Sequence, residues 1–329
     1  MSFNKAIILG FPRSGTTWFA NIFNSHPDVI YRHEFLGREY KQLEKGLYNK
    51  LKQNELITDA ELEACYHQFM KPQVNTDKPP FFDKNHLAFG NVIIHQYSWV
   101  LTKYFSPITY LYQYLFYPKV SNKTWLLLKE TRSSLHMEAI IRNLKFDKTI
   151  CLVRNPLAVI ASFKQGYEKG VMTLDTDKMK QNWFENNKRS LQSVNQHLSK
   201  KNVIEISQAE YLAYRWCVYY YDLLEIAETS LYSKMTFISY DILLDNTEKY
   251  LPLLMKQLGL TVVTSSKEFL AIKNDKNSKQ PKDASNEFYS VLKTPIKNKH
   301  KQILSKIEVK AIACITDALE EKLKQKYLF

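Results

Sequence analysis

Glycine and cysteine are both scarce in this 329-residue chain, which holds eight Gly, eleven Pro and four Cys. So few Gly and Pro exclude a collagen-like or low-complexity polymer, and 13% aromatic residues exclude a chain too polar to build a core. Cys65, Cys151, Cys217 and Cys314 stand at least 66 residues apart without a CxxC pair. That spacing speaks against a disulfide framework or a zinc cluster and for a reducing, cytoplasmic setting. The eight His show neither HxxxH nor HExxH spacing, so no metal is expected. Long apolar runs are missing too. Ala6–Leu9 is cut short by Pro12 and Arg13, and Ile108–Tyr117 contains Gln113 and follows Lys103 and Pro107. Neither a signal-peptide core nor a membrane span of about 20 residues is therefore expected.

Acid is also in deficit: 46 Lys+Arg against 33 Asp+Glu leave a net charge of +13. A surface this basic welcomes anions without naming them, since nucleic acid, anionic sugars, acidic lipid headgroups and phosphorylated cofactors all qualify. It leaves room for peripheral contact with a membrane surface. The length exceeds the roughly 100–200 residues of an average domain but suits one large α/β domain. A single domain over 1–329 is expected, with a divergent insertion at about 35–120 and a basic loop at about 271–301 that carries eight Lys against three acids.

Apolar, β-branched runs recur at Ala6–Leu9, Trp125–Leu128, Thr149–Val153 and Met235–Ser239, with a further short strand expected to end within Val29–Phe35. They are continuous, as strands covered on both faces should be. Helix-length segments separate them, at Thr16–Ser25, Ser134–Leu144, Pro156–Lys164, Gln208–Glu228, Leu251–Leu258 and Lys306–Lys324. The alternation predicts an α/β, doubly wound parallel sheet flanked by helices, with ligands at the carboxyl ends of its strands.

Directly after the first run comes Gly10-Phe-Pro-Arg-Ser-Gly15-Thr16-Thr17-Trp18, then apolar residues on one helical face. Glycines at a strand-to-helix turn let backbone N–H groups close on an oxyanion, and Thr16 and Thr17 can add hydroxyl donors. Gly10-x-x-x-x-Gly15 matches the front of a triphosphatase loop, but Thr16 stands where that loop demands Lys. The loop should therefore bind a phosphate without hydrolysing a triphosphate, with Arg13 bringing its cation to a different place. A second anion site follows Thr149–Val153, where Arg154 ends a strand, Asn155 can cap a helix, Pro156 occupies its first turn and Gly166 is expected to close it.

At these residues the chain resembles the sulfotransferases that use 3′-phosphoadenosine 5′-phosphosulfate (PAPS). Pro12-Arg-Ser-Gly-Thr-Thr-Trp18 looks like their 5′-phosphosulfate loop, which implies cofactor contacts from Arg13, Ser14, Gly15, Thr16, Thr17 and Trp18. The arginine turn looks like their 3′-phosphate motif, with Ser162 eight residues after Arg154. Phe237-Ile-Ser-Tyr240-Asp241 resembles the strand end that places a tyrosine, here Tyr240, near the adenosine. Lys293, Lys297 and Lys299 are candidates to close on the 3′-phosphate, although the Arg-Lys-Gly sequence of cytosolic members is absent. The resemblance implies the P-loop-like sulfotransferase fold, PAPS as donor and adenosine 3′,5′-bisphosphate (PAP) as product. It covers residues 5–34, 124–166 and 234–320 and fails over 35–120.

Sulfuryl transfer needs a proton acceptor and a cation near the bridging oxygen. Candidate bases are His33 and Glu34, neighbours on a strand end, of which strand alternation should admit one to the cleft. Carbohydrate-directed members resemble this chain in placing glutamate here, which implies Glu34 as the base. Cytosolic members use a histidine two residues after a strand-end lysine. That position is Thr131 here, while Lys129 matches the lysine. Arg13 and Lys129 are the candidates to steady the bridging oxygen. The resemblance implies as acceptor a hydroxyl or amine on a small molecule or carbohydrate, with the 35–120 segment and the tyrosine-rich 211–221 stretch as candidate pocket walls; no nucleic-acid partner is expected. Two rivals make distinct predictions. A P-loop-type kinase of nucleotides or small molecules would bind Mg·ATP, and a nonenzymatic polyanion binder would show steeply salt-dependent affinity that survives loss of Arg13 and Arg154.

Overall fold

The computed structural model describes residues 3–34, 49–50, 53, 55–131, 137–194, 205–229, 235–272 and 300–329. The expected basic loop falls outside these residues except at its ends, as do Lys293, Lys297 and Lys299.

Five strands, β1 (Asn4–Leu9), β2 (Val29–His33), β3 (Trp125–Glu130), β4 (Lys148–Val153) and β5 (Met235–Ser239), form one sheet in the order β2-β3-β1-β4-β5. β1 runs parallel to β3 and to β4, and β2 runs parallel to β3. Ala6, Ile7, Ile8 and Leu9 are all buried, as are Leu126, Leu127 and Leu128, because helices cover both faces and no position alternates outward. The architecture is a parallel α/β sheet flanked by helices, as the strand–helix alternation predicts.

The chain packs as two compact units, and β4 passes from one to the other after Cys151. The first takes residues 1–10, 16–151 and 246–278. It contains α1 (Thr16–Asn24), α2 (Asp59–Met70), α3 (Val92–Tyr104), a 3₁₀ turn (Ser106–Ile108), α4 (Thr109–Leu115) and α5 (Met137–Leu144). The second takes 11–15, 152–245 and 279–329. It holds α6 (Pro156–Glu168), α7 (Asp177–Asn186), α8 (Lys188–Val194), α9 (Gln208–Ala227) and α10 (Tyr240–Asp245). The first unit resumes with α11 (Thr247–Gln257) and α12 (Thr264–Ile272), and the second closes with α13 (His300–Ile303) and α14 (Lys306–Lys324).

Within the first unit α1 lies against β1, β2, β3 and α12. Ser25 Oγ donates to Ser266 Oγ at 2.8 Å, fastening the end of α1 to α12. Within the second, α9, α14 and α6 pack on one another. Capping boxes at Ser207 with Glu210 and at Ser305 with Glu308 fix the starts of α9 and α14. Two helix boundaries differ from expectation by several residues. Gly166 does not close α6, which runs on to Glu168 and stops at Gly170, the glycine at positive φ of 65°. α11 begins at Thr247 rather than Leu251, with Pro252 inside it.

Candidate active site

Five of the candidate residues stand in or just beyond the carboxyl end of a strand: Arg13 after β1, Glu34 after β2, Lys129 near the end of β3, Arg154 after β4 and Tyr240 after β5; Ser162 lies within α6, and Thr16, Thr17 and Trp18 open α1. In a parallel sheet these ends form the edge where strand-to-helix turns leave backbone N–H groups available. Arg13, Arg154, Ser162 and Tyr240 come together in the second unit and Glu34 and Lys129 in the first, which also holds Thr16, Thr17 and Trp18.

In the second unit, Arg13 and Gly15 both adopt positive φ, 72° and 85°, with Ser14 between them. Left-handed residues at such a turn are the backbone geometry from which anion-binding nests are built. A Cβ at position 15 would overlap the Tyr240 ring, so glycine is required there on both counts. Ser14 N donates to Phe11 O at 3.0 Å, closing the turn. Tyr220, in α9, pins the loop from beneath. Its hydroxyl donates to Leu152 O at 2.7 Å, accepts from Phe11 N at 3.2 Å and lies 3.2 Å from Ser14 Oγ. Tyr220 was not singled out in the sequence, because a partner some two hundred residues away leaves no local spacing to read. The tyrosine-rich stretch it belongs to is buried: Tyr211, Tyr214, Tyr219 and Tyr220 all point into the core.

Arg13, Arg154 and Ser162 come together. Arg13 Nε donates to Ser162 Oγ at 3.1 Å, and Arg154 Nη1 donates to Arg13 O at 3.0 Å. The Arg154 guanidinium stacks 4.8 Å from the Tyr240 ring centre, and its buried Nε has no hydrogen-bond partner. Burial pushes the Tyr240 phenol up to about 12 against the opposing pull of Arg154, so the ring stays neutral beneath the cation. The turn itself is built as expected: Asn155 Oδ1 caps α6 by accepting from Ala158 N, and Pro156 follows at the first helical position. Asp241 and Glu320 complete it, the first accepting from Asn155 N at 2.8 Å and the second from Asn155 Nδ2 at 3.3 Å.

In the first unit, Lys129 is buried within β3 and its ammonium donates to Glu34 Oε1 at 2.7 Å. Thr131 Oγ1 donates to the same oxygen at 3.1 Å, and Glu34 N donates to Lys129 O at 2.8 Å. Glu34 does not continue the strand alternation. Its φ of 44° swings the side chain back, so that His33 Nε2 lies 3.8 Å from Glu34 Oε1 and both residues share one side. The strand alternation that would set the two on opposite faces therefore does not hold at Glu34. His33 Nδ1 is 3.0 Å from the Tyr31 hydroxyl, whose pKa burial and the Glu34 carboxylate hold well above its ordinary value. Arg32 pairs with Asp77 at 2.8 Å rather than with Glu34. Among the described residues no group of His, Cys, Asp and Glu is placed to hold a metal ion, and no helix is long and apolar enough to cross a membrane.

Residues 6–215 match the model of a sulfotransferase family. No curated protein matches the chain. Three solved structures resemble it at low identity. The mouse sulfotransferase SULT7A1 complexed with PAP is 12% identical, covering 98% of this chain and 88% of that one, with a TM-score of 0.46. The sulfotransferase domain from the curacin biosynthetic pathway is 15% identical over 94% of this chain and 96% of its own, with a TM-score of 0.43. The sulfotransferase domain of the Synechococcus PCC 7002 olefin synthase is 16% identical over 94% of each chain, also at 0.43.

Proposed function

The chain belongs to the sulfotransferase family, and on that premise we propose that it transfers a sulfuryl group from PAPS to a hydroxyl or amine of a small-molecule or carbohydrate acceptor. The observation that carries the donor assignment is the Arg13–Ser162–Arg154 cluster, with one guanidinium nitrogen buried and still lacking an acceptor. An anion supplies that acceptor, and the nest at Arg13–Gly15 suits a second one. When bound, PAPS supplies the activated sulfuryl group. Arg13, Ser14 and Gly15, with Thr16, Thr17 and Trp18 at the start of α1, would hold its 5′ end. Arg154 and Ser162 would hold the 3′-phosphate, and Tyr240 would border the adenosine.

Glu34 is the proton acceptor in this reading. Its Oε1 is oriented by Lys129 and Thr131, which fix the carboxylate without a histidine at position 131. Lys129, with Arg13, would steady charge on the bridging oxygen. The four free thiols fit a reducing, cytoplasmic location.

Titration with PAP and with Mg·ATP, repeated on Arg154→Ala, tests the donor. Binding of PAP alone, lost in the variant, is the expected result. Equal or tighter Mg·ATP binding would favour the kinase reading, and salt-dependent polyanion binding that survives loss of both Arg13 and Arg154 would favour a nonenzymatic binder.

A further inference from the structure

Thirteen of the nineteen exposed large hydrophobic residues described lie between Phe89 and Val120, on α3, α4 and their flanks. Scattered exposed leucines are ordinary, whereas a contiguous exposed apolar patch marks a surface with a partner. The two helices invert the usual amphipathic arrangement. Polar-tipped aromatics hold them down: Tyr112 OH donates to Asp77 Oδ2 at 2.9 Å, Trp99 Nε1 donates to Val74 O at 3.1 Å, and His95 stacks on Phe116 with ring centres 4.5 Å apart. Only Thr102 of α3 and Tyr112 of α4 are buried. Aliphatic and tyrosine side chains face solvent instead, with Ile93 60%, Tyr110 83%, Leu111 55% and Tyr114 82% exposed.

Charge narrows the occupant. From Lys84 through Lys129 there is no Asp or Glu, and Lys103, Lys119 and Lys123 are exposed along this stretch. The Lys103 ammonium lies 5.4 Å from the Trp99 ring centre and 5.9 Å from that of Tyr104, so a cation sits among the exposed aromatics. A symmetric contact with a second copy would set lysine against lysine with no acid to offset it. Aliphatic side chains, tyrosine hydroxyls and lysines without acids are the chemistry that lies in the headgroup layer of an anionic bilayer, and α3, at 13 residues, is too short to cross one.

We infer that the α3–α4 hairpin is a peripheral docking surface for anionic lipid bilayers. The inference stands apart from the sulfotransferase reading, because its readout is partition rather than turnover. Full-length protein is sedimented with vesicles of phosphatidylcholine alone and of phosphatidylcholine mixed with phosphatidylglycerol, at low and high salt. Binding is expected on the anionic vesicles and should weaken with salt. Lys103→Gln with Lys119→Gln should weaken it by about five-fold per lysine. Tyr110→Ser, Leu111→Ser and Tyr114→Ser together should cost on the order of a hundred-fold, from lost apolar insertion. Unchanged thermal unfolding controls for folding. If the triple variant unfolds, Tyr114→Trp serves instead, and its added fluorescence should be quenched by brominated lipid. No partition, partition indifferent to both variant sets, or an unquenched tryptophan overturns the inference. So does a dimer in sedimentation equilibrium that the same serine substitutions dissociate, which would make the face a subunit interface.

Discussion

Replacing Glu34 with Gln separates its chemical part from its structural part. Glu34 pairs with a lysine whose side chain is only 2% exposed, while its own is 13% exposed. Gln retains an oxygen for Lys129 Nζ and Thr131 Oγ1 but removes the charge, leaving a buried ammonium facing neutral acceptors. Breaking a buried pair by removing one charge costs about 3–5 kcal/mol, and the retained hydrogen bonds place this variant near the lower end, at about 3 kcal/mol. For a chain of this size about 2 °C of melting temperature is lost per kcal/mol, so a fall of about 6 °C is expected by calorimetry. Turnover should fall by about 10²–10⁴ through loss of the proton acceptor, with PAP affinity unchanged. Adding Lys129→Met removes the stranded charge and should recover most of the stability but none of the activity. Turnover of Glu34→Gln within two-fold of the parent (a threshold of about 0.4 kcal/mol in barrier) would refute the assignment and move the base to His33. A coupling energy below about 0.5 kcal/mol in the double-mutant cycle would refute the energetic reasoning about the pair.

Arg154→Ala should weaken PAP binding by about a hundred-fold in calorimetric titration, since it removes charge-assisted hydrogen bonds to a phosphate. Gly15→Ala should destabilise by about 1–2 kcal/mol for the left-handed backbone and by a further 1–3 kcal/mol, roughly, for overlap with Tyr240, read as a lower urea midpoint. His95 is held down to about 3 by burial first and by Arg32 and Lys84 beside it. Its folded pKa lies below the unfolded value near 6.5, so the stability of the neutral ring is fully present above about pH 6.5 and is lost as pH falls toward 3. Urea titrations across that window should show a loss approaching about 4 kcal/mol that His95→Gln abolishes, and a pH-independent difference between the two proteins would refute it.

Strands were the most legible part of this sequence. Ala6–Leu9, Trp125–Leu128 and Thr149–Val153 lie inside β1, β3 and β4, and Met235–Ser239 coincides with β5. Strands buried on both faces write continuous apolar runs whatever their neighbours, and α14, bounded by Ser305 and a capping box, was equally plain. Boundaries decided by packing were less so. Gly166 sits inside α6 because Gly170 offers the left-handed turn four residues later, and a single sequence ranks neither glycine above the other. At the site, the loop and Arg154 were readable because each is a local pattern. Tyr220, Asp241 and Glu320 were not, since each meets its partner across a long span of chain. The shared side of His33 and Glu34 was hidden as well, because it depends on one backbone angle that no residue type announces.

The division of the candidate residues between the two units has a consequence for how variants should behave. Arg13, Arg154 and Ser162 form one hydrogen-bonded set in the second unit, while Glu34, Lys129 and Thr131 form another in the first. Within a set, members are coupled. Arg13 donates through its guanidinium Nε to Ser162 and accepts from Arg154 through its backbone carbonyl, so replacing either neighbour changes how the Arg13 turn is held. The two sets belong to different compact units. Losses in phosphate affinity should therefore combine additively, in free energy, with losses in proton transfer, while substitutions inside one set should not add. Since sulfuryl transfer asks for a firmly held donor and a separately tuned proton acceptor, this arrangement allows the acceptor side to change without disturbing the grip on the donor.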